Sequence, residues 1–540
     1  KNTVLVRYTA SPGGPAVTLG FRPLLAYRHI HDVTRFNETL NPESEEFPRG
    51  FRCTPYPGMP PLHVASNRKS RFEADPAWYW NALYPEDEAR GFEHREDLFS
   101  PGIVRVRLSA GHDVLVSVST EAPQDDLQEQ WNVEVERRRE SQRVELRYRP
   151  EFPMPEEKAL YESLWHAAEQ LLICCPLSGP AVHAGYHWFG PWGRDTLIAL
   201  PGLAFLTGRL ETGAEILRTA AGYERHGLLP NFIDPHGNRA YTAADPSLWF
   251  FWTVHQYLEA GGDMETVHRD FWPTMRTILD RYRTGTHNRI LTDEEGLLRA
   301  GGPGMAVSWM DARVGGRPVV SRWGYMVEIN ALWYNALHIA RQLAQRFEET
   351  IPWLTPEYLD GVRKAFRKRF WLSDQEILFD TVNEYFMESC IRPNQIFAVS
   401  LAYSPLEEYQ QRAVTDIVRA ELFTPYGLRS LTSQDIRYRG SCEGDHWVRD
   451  LGYHQGSVWP WLVTPFAEAC FRVYGRTDST RDLFRPVVKA FHQHLEEAGV
   501  SVALPAVHDL AAVALAALFV AVQEHLDLPA FRIVNVLQEL

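Results

Sequence analysis

Residues 185–203 place large aromatic side chains and several glycines around the adjacent pair Arg194 and Asp195, where a helical apolar pattern begins. The apolar face of a sugar ring packs on an indole, and its hydroxyl groups need fixed donors and acceptors such as an Arg–carboxylate pair. The same residues could instead close a loop through a structural Arg–Asp pair. Because Trp192 lies two residues before Arg194 at the start of a predicted helix, we interpret the segment as a candidate sugar-binding loop.

A second candidate for chemistry is Asp311, in the segment Ser308-Trp-Met-Asp-Ala312. This segment follows the glycine-rich stretch 301–304. A carboxyl group beside an indole and a thioether loses hydration, which raises its pKa toward neutral. An acid that protonates a glycosidic oxygen near pH 7 needs such a pKa. Asp311 is therefore a candidate general acid, and a helix cap or loop position is the alternative interpretation.

Polar residues among aromatics also stand at the starts of other predicted helices, in residues 245–250, 392–395 and 438–461. If the helices pair into a ring, the N-termini of the inner helices converge at one end. The loops would then face one cavity. This recurrence, more than any single loop, favours a sugar site.

Several other chemistries are excluded by missing motifs. The sequence has no P-loop, no glycine-rich dinucleotide-binding pattern, no HExxH zinc motif and no GxSxG nucleophile motif. His492 and His494 are two residues apart on a predicted helix, so they point to different faces and make poor joint metal ligands. We therefore expect no cofactor and no metal.

The composition is that of a globular protein with an acidic surface: 540 residues, a net charge of −14 and 12% aromatic residues, with 17 Trp. Negative charge argues against nucleic acid and anionic membranes as main partners, whereas a neutral polysaccharide is compatible with it. Scattered cysteines, no signal peptide and no apolar run long enough to span a bilayer predict a cytoplasmic protein with reduced thiols. The sequence specifies no oligomeric state.

Residues 1–150 show the period-two alternation of half-buried strands, as at 104–108 and 144–148. Such strands predict an N-terminal antiparallel β-sandwich, which we expect to be truncated because the first residues already read as a strand. The Pro- and acid-rich composition of 40–100 predicts irregular structure, and the mixed charges of 120–142 predict a solvated connection.

From about residue 154 the apolar period becomes helical. The predicted helical segments are 154–175, 196–207, 211–225, 247–260, 264–284, 328–348, 356–370, 392–402, 405–421, 456–473, 480–498 and 509–526. No repeat of fixed length accompanies them, which disfavours a regular solenoid. A dozen helices in sequential pairs predict an all-α (α/α)6 toroid over residues 151–540, with an open array of helices as the alternative.

Five motifs occur in order along the chain, within a resemblance that covers roughly residues 20–500. They are Tyr186-His-Trp-Phe-Gly-Pro-Trp-Gly-Arg-Asp-Thr196, Ser308-Trp-Met-Asp-Ala312, Glu328-Ile-Asn-Ala-Leu-Trp-Tyr-Asn335, Arg392-Pro-Asn-Gln395 and Tyr453-His-Gln-Gly-Ser-Val-Trp-Pro-Trp461. The sequence thereby resembles the amylo-α-1,6-glucosidase type of glycogen debranching enzyme, the bacterial and archaeal form related to glucoamylases. The resemblance implies an (α/α)6 toroid behind an N-terminal β-sandwich. It also implies inverting hydrolysis, without a cofactor, of the single α-1,6-linked glucose at glycogen branch points.

The resemblance also implies roles for individual residues. Asp311 matches the general acid, and Arg194 with Asp195 matches the pair that holds hydroxyls of the terminal glucose. The expected aromatic walls of the site are Trp192, Trp309, Trp333 and Trp459. The expected polar lining is Glu328, Gln395, His454 and Gln455.

The general base of that family has no counterpart in this sequence. An inverting glycosidase needs a second carboxylate about 6.5–9.5 Å from the acid. The family has a Glu just after the penultimate helix, but here the family pattern holds only to about Val500 and no Glu follows at that place. Possible substitutes are Glu443, Asp445, Glu497 and Asp509.

The expected function is therefore the hydrolysis of α-1,6-linked glucose stubs of glycogen or limit dextrin, with a branched α-glucan as partner. Two alternatives stay open. One is another inverting α-glucosidase, of glucoamylase or trehalase type. The other is a catalytically impaired relative that binds glucans.

Overall fold

The N-terminal part of the chain is rich in sheet and the C-terminal part is rich in helix. The computed structural model describes residues 2–123, 126–143, 155–175, 179–185, 189–233 and 237–498. The strand predicted at 144–148 and the helix predicted at 509–526 lie outside the described residues. The chain divides into two units, Lys1–Val144 and Glu145–Leu540.

Two antiparallel sheets build the first unit. Its strands and one short helix are β1 Thr3–Thr9, β2 Val17–Phe21, β3 Ser44–Phe47, β4 Gly50–Cys53, β5 Leu62–Ser66, β6 Ser70–Leu83, α1 Pro85–Ala89, β7 Arg95–Leu108 and β8 Asp113–Ser119. The larger sheet has the order β1-β8-β5-β4-β3 and the smaller has the order β2-β7-β6. Apolar residues from both sheets share one core, where Phe51 of β4 stacks on Phe72 of β6 with ring centroids 4.4 Å apart.

Residues 40–100 are more regular than their composition predicts. They contain β3 to β6 and the start of β7. Pro76 is accommodated by irregular pairing, since the register of β6 and β7 shifts between Ala74 and Ala77. Acidic residues such as Asp75 occupy exposed strand positions. The prediction of irregular structure was wrong because the composition reflects a solvated sheet face.

Residues 120–142, expected to be a solvated connection, contain helix α2 (Leu127–Arg143). Glu134 pairs with Arg137 and Arg138, which lie one turn further along the helix. Apolar residues on the other face pack on residues of the larger sheet. The mixed charges therefore mark one face of a helix.

The second unit consists mainly of helices. They are α3 Pro155–Leu171, α4 Gly193–Leu200, α5 Leu210–Ala221, α6 Asp245–Glu259, α7 Met264–Thr266, α8 Trp272–Thr284, α9 Val327–Arg346, α10 Pro356–Phe370, α11 Phe397–Ser400, α12 Glu408–Glu421, α13 His446–Tyr453, α14 Val463–Tyr474, α15 Asp478–Asp482 and α16 Arg485–Ala498. The π-helical turns Pro201–Phe205 and Val267–Phe271 continue α4 and α7, and the 3-10 turns Pro393–Ile396 and Pro460–Leu462 precede α11 and α14. Every segment predicted to be helical within 154–498 contains a helix. In the described residues, each helix is too short or too polar to span a lipid bilayer.

Short strands connect these helices. They are β9 Leu172–Cys175, β10 Gly179–Gly185, β11 Phe189–Pro191, β12 Phe232–Ile233, β13 Arg239–Ala240, β14 Leu291–Thr292, β15 Leu298–Arg299, β16 Arg313–Val314, β17 Arg317–Pro318, β18 Tyr325–Met326, β19 Trp371–Leu372, β20 Ile377–Leu378, β21 Thr381–Val382, β22 Met387–Glu388, β23 Phe423–Thr424, β24 Gly427–Arg429 and β25 Val458–Trp459. Strand β9 corrects a predicted helix boundary. Helix α3 ends at Leu171 rather than near 175, because the following residues pair with β10.

Helices α4, α6, α9, α11 and α14 lie side by side in that order, each packed against the next. Four of them, all except α9, begin at the polar–aromatic segments found in the sequence. The first turns of α4 and α6 are joined by Arg194 and Asp245. Neighbouring helices thus bring segments that are distant in the sequence into one region.

Candidate active site

Helix α4 begins at a glycine because the backbone at Pro230 passes too close to this position for a side chain. A Cβ atom on Gly193 would lie 1.9 Å from the carbonyl oxygen of Pro230, so a larger residue would collide with the backbone. The Gly193 amide donates to the carbonyl oxygen of Asn231 at 2.9 Å. This close approach sets where the helix starts, and the next residue, Arg194, reaches the first turn of α6.

Arg194 links carboxylates from two different parts of the unit. Its Nε and Nη2 atoms donate to Asp245, the latter at 3.1 Å. Its Nη1 atom donates to Asp311 Oδ2 at 3.5 Å. Arg194 and Asp245 are buried, whereas 36% of the Asp311 side chain is exposed. The arginine therefore binds one carboxylate in the interior and leaves the other accessible to a ligand.

The environment of Asp311 favours its protonated form. Desolvation raises the pKa of Asp311 above its ordinary value, because burial disfavours a charged carboxylate. The positive charge of Arg194 opposes this shift, and the nearby Asp245 carboxylate adds to it. A partly accessible carboxyl with a raised pKa can hold a proton and transfer it to a bound molecule.

Asp195 also has a perturbed charge state. Desolvation raises the pKa of Asp195 to about 6, with Arg194 opposing the shift and Asp245 adding to it. Three carboxyl groups thus surround one guanidinium group, and protonation of Asp195 or Asp311 relieves the repulsion between carboxylates.

Trp309, two residues before Asp311, is buried in an aromatic cluster. Its ring centroid lies 5.2 Å from that of His454, 5.2 Å from that of Trp459 and 5.3 Å from that of Trp461, all edge to face. The ring of His454 stacks on that of Trp459 at 5.1 Å. The cluster anchors the segment that carries the Asp311 carboxyl.

A second buried arginine, Arg322, orients Trp309 through a chain of hydrogen bonds. It donates to both oxygens of Glu328 at 2.6 Å and to Asp380 at 2.7 Å. Asp380 also accepts from Asn394 Nδ2 at 2.7 Å. The Trp309 indole donates to Asn394 Oδ1 at 2.7 Å. The indole is therefore held by groups from three separate segments.

A third buried arginine, Arg392, ties this region to the loop before α14. It donates to the carbonyl oxygens of Ser430 and His454, at 3.0 and 2.7 Å. It also donates to Gln455 Oε1 at 2.7 Å. These bonds hold His454 in place beside the Trp309 ring.

Known families match most of the chain. The profile of the family described as amylo-alpha-1,6-glucosidase matches residues 166–516, and that of the glycogen debranching enzyme N terminal matches residues 1–115. The chain belongs to the amylo-alpha-1,6-glucosidase family. This match to a glycoside hydrolase family continues past Val500, further than the motifs indicate, although residues 501–516 contain no glutamate.

The chain is similar to the glycogen debranching enzyme of Saccharomyces cerevisiae, to which it is 24% identical over 389 residues. The aligned part covers 55% of this chain and 25% of the yeast protein, so the chain spans about a quarter of the length of that relative. Among solved structures, the GH63 mannosylglycerate hydrolase from Thermus thermophilus in complex with glucose matches with a TM-score of 0.47 and 14% identity. That alignment covers 67% of this chain and 99% of the hydrolase.

Among the residues that the amylo-alpha-1,6-glucosidase resemblance places at the sugar, Trp192, Asp195 and Asp311 have partly exposed side chains. The Trp192 ring lies just before α4 and packs on Phe232, with centroids 4.8 Å apart. Contact of these three residues with substrate stays a prediction.

The residues expected to form the polar lining are buried and bonded to other parts of the protein. Glu328 is bound through both oxygens by Arg322. Gln395 Oε1 accepts from the Leu378 amide at 3.3 Å, and Gln455 Oε1 accepts from Arg392. These hydrogen bonds hold the residues within the protein interior, and their contact with substrate stays a prediction.

Trp333 requires a correction, because we expected it to be an aromatic wall. It is fully buried in α9, and its indole donates to the carbonyl oxygen of Gly296 at 3.1 Å. Its ring lies 6.1 Å from that of Tyr282. With no exposed surface, Trp333 is a residue of the helical core.

Sequence reasoning missed the buried partners of the site. Asp245 opens one of the polar–aromatic segments, and Arg392 and Asn394 belong to another, so a signal for these residues existed. No sequence motif marks Arg322 or Asp380, whose pairing joins positions 58 residues apart. Their roles depend on which loops meet in three dimensions.

The possible substitutes for the general base differ in what they already bind. Asp445 is the N-cap of α13, and its Oδ1 accepts from the Val448 amide at 3.0 Å. Glu443 is exposed. The Glu497 side chain and Asp509 lie outside the described residues.

Within the part of the chain that the structure describes, no group of three or more His, Cys, Asp and Glu side chains could hold a metal ion.

Proposed function

We propose that this chain is an inverting amylo-α-1,6-glucosidase that hydrolyses α-1,6-linked glucose stubs of glycogen or limit dextrin. The observation that carries the proposal is the Asp311 carboxyl, which is partly exposed, has a raised pKa and lies 3.5 Å from the buried Arg194. Family membership supports the reaction, and the name of the yeast relative supports glycogen as the substrate.

In this proposal Asp311 carries a proton in the free enzyme and donates it to the glycosidic oxygen. The bond from that oxygen to the anomeric carbon breaks as water attacks from the opposite face of the sugar, and a second carboxylate accepts a proton of the water. Arg194 is fixed by Asp245, so its charge stabilises the Asp311 carboxylate that forms. Asp195 binds sugar hydroxyls and Trp192 packs on the ring face of the terminal glucose.

The proposal includes an (α/α)6 toroid for the second unit. The side-by-side packing of α4, α6, α9, α11 and α14 supports an inner row of helices. Helix α16 packs against α3, the first helix of the unit, as closure of a ring requires. The inner N-termini would then surround Asp311.

A second candidate function is glucan binding without turnover. It is favoured by the absence of glutamate from residues 501–516, within the range of the family match. Removing a catalytic carboxylate lowers the rate by orders of magnitude, while residues that bind the ground state still hold the sugar.

The experiment that separates these functions is proton NMR of the anomeric signals during incubation with a phosphorylase limit dextrin. Early β-glucose supports inverting debranching, whereas early α-glucose contradicts inversion. Isomaltose, maltose and trehalose serve as comparison substrates, and release from maltose or trehalose alone would assign a different linkage. A silent spectrum from protein that still binds the dextrin favours the second candidate.

A further inference from the structure

The first unit carries three aromatic side chains that contact one another at its surface. Phe36 is 46% exposed and Trp80 is 58% exposed. The ring centroid of Phe36 lies 5.4 Å from that of Trp78 and 5.2 Å from that of Trp80, and the two indoles are 6.4 Å apart. We refer to Phe36, Trp78 and Trp80 as the aromatic platform. Exposed hydrophobic residues that form a continuous patch mark binding sites, whereas isolated ones do not.

Strand β6 exposes Trp80 through an irregularity in its pairing. Trp78 and Trp80 are two residues apart and share a face of the strand. The register with β7 shifts between Tyr79 and Ala82, and Asn81 within the shift has a left-handed backbone with φ of 55°. A bulge bends a strand and turns its side chains away from the ladder. The indole of Trp80 is therefore directed outward.

The buried carboxylate of Asp97 holds both halves of the platform. Its Oδ1 accepts from the Asn81 amide at 2.9 Å, and its Oδ2 accepts from the Phe36 amide at 3.0 Å. These backbone hydrogen bonds lower the pKa of Asp97, so the carboxylate stays ionised and both bonds are charge-assisted. One side chain thereby sets Phe36 beside Trp80.

The neighbouring Glu96 fixes the rest of the loop that carries Phe36. It is fully buried, accepts from the Thr34 amide at 2.8 Å and pairs with Arg28. Two adjacent carboxylates of β7 therefore preorganise an exposed apolar surface, which is what a binding site requires.

The charges of this loop indicate the class of ligand. Arg28 is paired with Glu96, and Arg35 is paired with Glu93 at 2.6 Å. A phosphate or carboxylate ligand would need an arginine that is not already committed to a carboxylate. Paired arginines beside exposed aromatic rings complement a neutral ligand with apolar ring faces, such as a sugar chain.

We propose that the aromatic platform is a second, non-hydrolytic surface that binds chains of α-linked glucose. The choice of glucose chains rests on the proposed function. Sugar ring faces stack on Phe36 and Trp80, and Trp78 supports both rings from the side. A platform of this kind would hold a branched glucan to the enzyme between hydrolytic events.

The test is affinity electrophoresis of the full chain in native gels that contain increasing amounts of glycogen. The double variant Phe36→Ala/Trp80→Ala is compared with Tyr79→Ala, an exposed aromatic between the two indoles on the opposite face of β6. We expect the dissociation constant for glycogen to rise about tenfold or more in the double variant and to stay unchanged in the control. Thermal melting followed by circular dichroism confirms that the variants are folded.

Three results would overturn the proposal. The first is equal retardation of the wild type and the double variant by glycogen. The second is no retardation of the wild type. The third is a wild-type dimer in size-exclusion chromatography that the double variant converts to monomer, which would make the platform an interface between copies of the chain. Glucose release from limit dextrin is measured separately, so failure of the hydrolytic proposal is seen in that assay and not in the gel.

Discussion

Arg194 donates a hydrogen bond to Asp311 at 3.5 Å, although the two residues are 117 positions apart in the chain. The guanidinium group is itself held by Asp245 in the first turn of α6. The proton affinity of Asp311 therefore depends on a buried cation whose position is set by a neighbouring helix. The chemistry proposed for this site follows from that arrangement.

Replacing Asp311 with Asn should abolish glucose release and leave the fold intact. The amide has nearly the same shape but cannot supply the proton, and a general acid contributes about 10²–10⁴-fold to the rate. Glucose release from limit dextrin measures the loss, and circular dichroism checks the fold. The matched control is Asp280→Asn, which changes an exposed carboxylate of α8 and should retain the wild-type rate. Full activity of Asp311→Asn would refute its assignment as the acid.

Replacing Asp195 with Asn should change how stability depends on pH. Burial raises the pKa of Asp195 to about 6, whereas an Asp in an unfolded chain has a pKa of about 3.9. The folded state thus holds this proton more tightly than the unfolded state, so the contribution of Asp195 is most favourable at low pH and falls between about pH 4 and about pH 6. Urea unfolding across this window should show wild-type stability declining relative to Asp195→Asn. A difference that stays constant with pH would contradict the raised pKa.

Replacing Arg322 with Ala should destabilise the second unit strongly. The change leaves Glu328 and Asp380 buried without their cation, and breaking a buried ion pair costs about 3–5 kcal/mol. Arg218 also pairs with two carboxylates, but its side chain is 33% exposed, so Arg218→Ala should cost about 0–1 kcal/mol. Urea unfolding of both variants measures the difference. Similar free energies of unfolding would show that the Arg322 network does not stabilise the fold.

Replacing Trp309 with Phe should lower kcat/KM more than the same substitution at Trp272. The new ring cannot donate to Asn394, and leaving a buried acceptor unpaired costs about 1–3 kcal/mol and frees the segment that carries Asp311. The Trp272 indole also donates a hydrogen bond, to Glu349 at 2.8 Å, and so provides a control for lost stability alone. Steady-state hydrolysis of limit dextrin compares the two. Equal kcat/KM values would mean that Trp309 has no special role in positioning the acid.

Local patterns in the sequence predicted the helices of the second unit well, since apolar residues that recur every three or four positions must share a helix face. They failed where polar composition hides regular structure. The pattern predicts a connection in place of helix α2 because the exposed face of that helix is highly charged. It predicts irregular structure for residues 40–100, although four strands form there and a register shift accommodates Pro76. The alternation of apolar and polar residues does not reveal a strand whose pairing is interrupted by a bulge.

The sequence by itself determined the family and the order of a sheet-rich part before a helical part, and it singled out Arg194, Asp195 and Asp311 as candidate site residues. It could do so because motifs and periodicity are properties of neighbouring residues. Only the tertiary structure showed that Asp245 binds Arg194, and that the indoles of Trp309 and Trp333 donate to different partners, Asn394 for the first and the carbonyl oxygen of Gly296 for the second. The physical reason is that burial and charge pairing depend on which helices and loops pack together, and residues of the same type in similar local patterns acquire different partners when they fold.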